Sequence, residues 1–301
     1  MRYRISGHET FALRFAWLPK AVKGVTKHPR LFQTEDDAMV TLGVGKNMVR
    51  AIRFWAECAG VVAAAEKGEH QVTRLGQAIL GPDGLDPYME DSRTLWLLHW
   101  QLATGSPSPL LAWDFLLNRW HRDDLSVGAA MEAARKDVSL ELDEVSDSTL
   151  EAHFSVFLRT YASTRGRKGE STEDSLDCPL VELRLLGRID GSGSKDGRYV
   201  FRHEEKPEIT AGLFAWTIND LMNRHGVDCT VLSFREIAAG HGGPGTVFKI
   251  PESDIRERMA TIEADTNGYL RQEESVNLHQ VRRKKVIPSV EYLKRAYEER
   301  A

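Results

Sequence analysis

The sequence predicts a mainly α fold with small β-wings, in which winged helix-turn-helix domains flank a helical middle. Three observations lead there. Residues 35–80 carry two helical patterns split by Gly43-Val44-Gly45 and followed by a hairpin pattern. Residues 85–162 are dense in Leu and Trp without strand alternation. From residue 208 onward, helical segments alternate with hairpin patterns. The length, 301 residues, sets a prior of about two domains. Composition and punctuation place the divisions at 1–82 (a basic arm plus a winged helix-turn-helix), 83–205 (helical, ending in a second winged-helix-like unit) and 206–301 (an α+β, winged-helix-like domain).

Residues 35–42 read as a short helix and 43–45 as its glycine turn. Residues 46–59 read as a second helix. Met48, Ile52, Trp55 and Ala59 fall on one helical face, and Lys46, Asn47, Arg50 and Arg53 lie largely off it. Gly60 stops that helix. Residues 61–64 and 70–73 form a hairpin pattern around 66–69, and Thr73 caps a helix over 74–80. In such an arrangement the second helix enters the major groove, where Asn and Arg read base edges. The stretch 81–84, Gly-Pro-Asp-Gly, marks a boundary.

In the middle region Trp96, Trp100, Trp113, Phe115 and Trp120, with many leucines, read as core. Residues 148–161 read as a helix capped by Ser146 or Ser148, 163–175 as a polar loop, 176–186 as a helix and 187–203 as a hairpin. Helix then hairpin repeats the earlier order, so 144–205 is read as the second winged-helix-like unit. The last region gives a helix over 209–224 and a capping box at Ser233 and Glu236. A Gly-rich turn at 240–245, a helix at 251–263, a hairpin at 269–280 and a final helix at 289–299 follow.

Net charge is −4, with a pI of about 6.2, which gives no global reason to expect nucleic acid. The charge is unevenly spread. Residues 1–34 hold seven basic side chains (Arg2, Arg4, Arg14, Lys20, Lys23, Lys27, Arg30) against Glu9, a net +6. Residues 123–151 sum to −7, and a second basic run, Arg282, Arg283, Lys284 and Lys285, stands near the C-terminus. Basic patches on an acidic body suit contact with a polyanion through chosen faces. Lys20, Lys23, Lys27, Arg14, His8 and the 282–285 run are therefore candidate DNA contacts beside Lys46, Asn47, Arg50 and Arg53. His8 has a second reading, as the cap of a turn in an arm anchored by Phe11 and Trp17. No run of about 18 apolar residues and no apolar signal core is present, which excludes a membrane span and points to the cytoplasm. Three scattered cysteines exclude a disulfide framework or a CxxC metal knuckle.

Several catalytic motifs fail on inspection. Gly45-Lys46 lacks the glycine at position 40 and the Ser/Thr at 47 that a phosphate loop needs. His8-Glu9 is not HExxH, because Ala12 stands where the second histidine belongs. No GxSxG occurs. Ser192 to Lys195 matches SxxK inside a turn, and His241-Gly242-Gly243 resembles an oxyanion loop without a nucleophile elbow. One set is retained: Asp190 or Asp196, then Glu204 and Lys206, in the order of a D…ExK nuclease core. Such carboxylates hold Mg²⁺ or Mn²⁺ while a lysine orients water. Its competing reading is ordinary charge on a solvated hairpin. His8, Glu9, Asp36 and Asp37 come next should that set fail.

Two strings carry a family resemblance: Gly7-His8-Glu9-Thr10-Phe11 with Arg14, Trp17-Leu18 and Lys20, and Leu42 to Val49 with Ile52 and Trp55. With them the chain resembles a bacterial family found in DNA phosphorothioation clusters, the nickase component of Ssp-type systems. Later strings around 175–187 and 232–250 look similar too, so the resemblance spans nearly the whole chain. It implies double-stranded DNA as substrate, a sulfurtransferase and an ATPase as protein partners, and Mg²⁺ or Mn²⁺ if the protein nicks. It supplies no catalytic residue, and it leaves a homodimer open. Three readings stand: a nickase opening one strand for sulfur insertion, a non-catalytic winged-helix module presenting DNA to the sulfurtransferase, and a transcriptional regulator of the cluster.

Overall fold

In a computed structural model the chain is mainly helical, with three small antiparallel sheets among the described residues. The structure describes every residue except 1–2, 106–107, 123, 139–141, 143–144, 163–177, 190–196, 276–277 and 299–301. Two compact units form, Met1–Leu116 with Trp120–Phe201, and Leu117–Arg119 with Arg202–Ala301.

The first unit opens with α1 (Trp17–Lys27), α2 (Glu35–Leu42) and α3 (Lys46–Cys58). Gly43 ends α2 in the left-handed region, at φ 66°, where a glycine carries no steric cost. The predicted inner face of α3 is inner: Ile52, Trp55 and Ala59 are buried and Met48 half-buried, joined by Val49, Phe54 and Ala56. Strands β1 (Val62–Ala64) and β2 (His70–Val72) pair antiparallel across a 3-10 turn, as the hairpin pattern predicts. Thr73 caps α4 (Arg74–Leu80), its Oγ1 accepting the Gly76 N–H at 2.9 Å.

Helices α5 (Ser92–Thr104), α6 (Leu111–Asn118), α7 (Val127–Asp137) and α8 (Asp147–Tyr161) follow, and Ser146 caps α8. Trp96, Trp100 and Trp113 are buried as expected, and Trp113 packs edge-to-face on Trp55 and Phe157. Inside this core Trp113 Nε1 donates to the Tyr161 hydroxyl at 2.9 Å, which leaves that hydroxyl to donate to His99 Nδ1 at 2.7 Å.

Two expectations change here. Within the predicted helix over 176–186 the described residues form a 3-10 helix only over Pro179–Leu183, which Arg184 leaves at φ 49°; residues 176–177 lie outside the described residues. The hairpin at β4 (Leu186–Ile189) and β5 (Arg198–Phe201) forms as predicted, but it gains a third strand, β3 (Asp124–Leu125), on the far edge of β5.

The second unit holds α9 (Ala211–His225), β6 (Val231–Ser233), α10 (Phe234–Ala239), α11 (Pro244–Phe248), α12 (Glu252–Asp265), β7 (Leu270–Ser275), β8 (Leu278–Arg283) and α13 (Ser289–Glu298). Its sheet runs β6-β8-β7. The capping box at Ser233 and Glu236 is present in full. Helix α9 crosses α13 at Gly212, where a Cβ would lie 2.4 Å from the Ala296 backbone nitrogen.

Candidate nucleic-acid interface

The predicted contacts on α1 and α3 sit on faces opposite a buried core. On α3 the exposed polar side chains include Lys46, Asn47 and Arg53, with Arg50 half-exposed. Glu35, from the first turn of α2, reaches both Lys46 (2.7 Å) and Arg50 (2.6 Å). The Arg50 and Lys46 hydrogen bonds hold its carboxyl below the usual range. Among the described residues Arg53 and Asn47 have no such partner. On α1, Trp17, Leu18, Ala21, Val22 and Val25 face inward. Lys20, Lys23 and Lys27 share the outer face at i, i+3 and i+7. Lys20 Nζ donates to the Leu42 carbonyl at 3.1 Å, which leaves its charge uncancelled. Lys23 and Lys27 have no carboxylate partner among the described residues.

The arm before α1 is a packed segment. A Cβ on Gly7, at φ +109°, would lie 2.9 Å from the Phe54 ring, so this position requires glycine. His8 is buried. Its Nδ1 accepts the Thr10 N–H at 3.1 Å, which puts its proton on Nε2, 3.2 Å from the Ile5 carbonyl. The ring stacks on His153, centroids 5.4 Å apart, and His153 Nε2 accepts the Ala112 N–H. Burial lowers His8 to about 4 and His153 to about 3, so both rings are neutral near pH 7. His8 thus lies where the turn-cap reading puts it and offers no surface to a phosphate. Arg14 stacks against the Phe11 and Trp17 rings, 5.4 Å from each. Arg4 is tied to Glu57, and Arg30 to Glu69. Arg2 lies outside the described residues.

The C-terminal basic run is largely spent inside the second unit. Arg282 Nε meets both Glu273 oxygens, at 2.8 and 2.9 Å, and Lys284 reaches the same carboxylate. These contacts, Arg282 first, bring Glu273 down to about 2. Arg283 is buried and donates to Asn219, Asn223 and the Cys229 carbonyl, so it is a core residue. Lys285 lies over the Tyr269 ring.

The candidate nuclease set is only partly visible. Asp190, Asp196 and the SxxK turn lie outside the described residues. Glu204 and Lys206 do come together, at 3.1 Å, but Glu204 also binds Arg202, and Lys206 is buried with its Nζ shared between Glu204 and the Arg202 carbonyl. A carboxylate held by two cations is a poor Mg²⁺ ligand. Among the described residues no three His, Cys, Asp or Glu side chains form a metal-holding group. Glu204 with Lys206 alone thus offers no open cation site. Asp36 and Asp37 are exposed in the first turn of α2, and Glu9 is half-buried beside His8. The Gly242 N–H donates to Asn118 Oδ1 at 2.8 Å, so it serves no oxyanion. Burial pushes the Cys58 thiol up to about 12, which removes it as a nucleophile.

Sequence reasoning missed two partners, Glu35 for the α3 cations and His153 for His8. Each lies on another element, and no local spacing signals them. It also missed a groove of about 670 Å³ beside the α1 lysines, described below.

The profile of a family described as protein of unknown function (DUF4007) matches residues 5–297. Two solved structures are similar over 92% of this chain and 82% of their own. One is a magnesium ion-bound SspB, 29% identical with a TM-score of 0.82; the other is a second SspB crystal structure, 28% identical with a TM-score of 0.81. No curated protein matches the chain. Among the described residues no helix is long and apolar enough to cross a membrane.

Proposed function

The chain belongs to the DUF4007 family, and on that premise we propose that it is the DNA-binding component of a bacterial DNA phosphorothioation system, one that nicks a strand of double-stranded DNA to admit sulfur. The observation that carries the DNA-binding part is the outer face of α3, which exposes Lys46, Asn47 and Arg53. Helix, glycine turn, helix and hairpin, in that order, support a winged helix-turn-helix docked through α3. Asn47 and Arg53 then read base edges, Lys20, Lys23 and Lys27 hold phosphates, and Arg50 and Lys46 answer to Glu35. A sulfurtransferase and an ATPase are the expected protein partners.

A second reading keeps the DNA and drops the cleavage: a module that presents DNA to the sulfurtransferase. The occupation of Glu204 by Arg202 and Lys206 favours it. One of the similar SspB structures is magnesium-bound. Supercoiled plasmid incubated with the pure chain and Mg²⁺, Mn²⁺ or EDTA separates the two. Open-circle product that EDTA abolishes supports nicking; binding without product supports presentation. Unchanged duplex affinity and sequence preference in both Asn47→Ala and Arg53→Ala would remove α3 from the groove, since a lost base-specific contact costs about 1–3 kcal/mol.

A further inference from the structure

The groove beside α1 sets exposed aromatic rings, which duplex DNA does not use, beside the lysines of that helix. One wall is the outer face of α1 with Lys20, Lys23 and Lys27; the other is the chain leaving α4, from Leu80 through Pro82 to Pro87 and Tyr88. Its volume of about 670 Å³ falls in the range that takes small ligands, about 300–1,000 Å³. Phe15 and Tyr88, two exposed large hydrophobic residues, both line it, at 43% and 73% exposure. No carboxylate is among the described lining residues.

Tyr88 is held outward by construction. The buried Asp86 carboxylate accepts the Glu90 and Asp91 N–H groups, each at 3.0 Å, and the Thr94 hydroxyl at 2.6 Å. Met89, beside Tyr88, is fully buried at φ 61°. A non-glycine residue in that region persists only where its surroundings over-determine it. The fold thus maintains a strained turn whose consequence is an aromatic ring facing solvent across a row of lysines.

Rings with cations and no acids are the pattern that binds single-stranded nucleic acid, where bases stack on aromatic faces and lysines follow the phosphates. In a duplex the base faces are covered by their neighbours, so the rings have nothing to stack on. We propose that this groove holds an unpaired DNA segment, with a base stacked on Tyr88 or Phe15 and its phosphates along Lys20, Lys23 and Lys27. The inference rests on the DNA-binding reading and adds an unpaired strand as what this face takes.

The test is fluorescence anisotropy of the full chain with two probes, a labelled oligothymidylate and a labelled hairpin duplex. Stacking is worth about 1–3 kcal/mol per base and 1.4 kcal/mol is tenfold. Tyr88→Ala should therefore weaken oligothymidylate binding about fivefold or more, and Phe15→Ala should also weaken it. Tyr88→Phe should retain it, because stacking needs the ring and not the hydroxyl. Duplex affinity should stay within twofold in all three. Both rings being exposed, the fold tolerates their loss. Oligothymidylate binding unchanged by both alanine variants overturns the proposal, as does duplex binding with none to oligothymidylate, which leaves the DNA-binding reading standing. Failure to bind either probe overturns both. Binding to anionic lipid vesicles with none to oligothymidylate would assign the groove to a membrane surface and also overturn it.

Discussion

Replacing Lys20, Lys23 and Lys27 together by alanine isolates the electrostatic share of duplex binding. The three span about 10 Å along α1, at 1.5 Å per residue. That matches three phosphate steps at about 3.4 Å of axis per strand. None has a carboxylate partner among the described residues, so each brings a whole charge. Each contact contributes about −0.9 to the log–log slope of affinity against salt, so the triple variant should flatten that slope by up to about 2.7. Between 50 and 200 mM salt, wild type should then lose about 40-fold more affinity than the variant. Sequence preference should not move, because phosphate contacts position and do not specify. Arg282→Ala with Lys284→Ala is the matched control. Both cations already face Glu273, so removing them should change the slope by less than about one unit. Anisotropy titrations on one labelled duplex at several salt concentrations supply the measurement. A triple variant with the wild-type slope, or a control that flattens as much, would refute the assignment of the α1 face.

Glu35→Gln frees Lys46 and Arg50 from their shared carboxylate and should tighten duplex binding with a slope steeper by up to about two units, read by the same titration. Trp55→Ala empties a fully buried site edge-on to Phe54 and Trp113 and removes the bond to the Phe11 carbonyl that anchors the arm. It should cost about 3–5 kcal/mol in urea unfolding, and an equally stable variant would contradict the packing. His8 and His153 stay neutral when folded, with values of about 4 and about 3 against an ordinary 6.5. The unfolded chain therefore protonates first, and stability should be full above about pH 6.5 and fall as pH drops toward 4, by up to about 4 kcal/mol at pH 5 for the pair. Melting from pH 7 to 5 shows this, and His153→Gln should flatten the profile.

Elements stabilised locally were legible in the sequence. The periodicity of Ile52, Trp55 and Ala59 is set by the helix itself, and the caps at Thr73, Ser146 and Ser233 lie within three residues of the groups they bind. What failed depends on partners far along the chain. Strand β3 is two residues long and exists because Asp124 and Leu125 meet Val200 and Tyr199. The glycines at 240–245 read as a turn, yet Gly245 lies in α11, where a Cβ would stand 2.0 Å from the Ala238 carbonyl oxygen. There glycine serves a close approach, which looks the same in sequence as a glycine serving a turn.

The basic residues show why counting charge along a chain misplaces a site. Residues 282–285 read as a basic run beyond the 269–280 hairpin, but β8 extends to Arg283, and a strand sends successive side chains to opposite faces. Val281 and Arg283 therefore turn inward while Arg282 turns out to Glu273, and the four-charge run resolves into a core arginine, two cations sharing Glu273, and Lys285 over the Tyr269 ring. In the arm Arg4 and Arg30 meet acids contributed by other elements, while Arg14 lies over the Phe11 and Trp17 rings. Cations keep their charge to offer where a helix buries its opposite face so fully that its polar stripe must face solvent, and where no acid stands opposite. Helix α1 meets both conditions and α3 meets them at Arg53. For that reason these two helices, and not the net charge of either terminus, are the faces proposed to meet DNA.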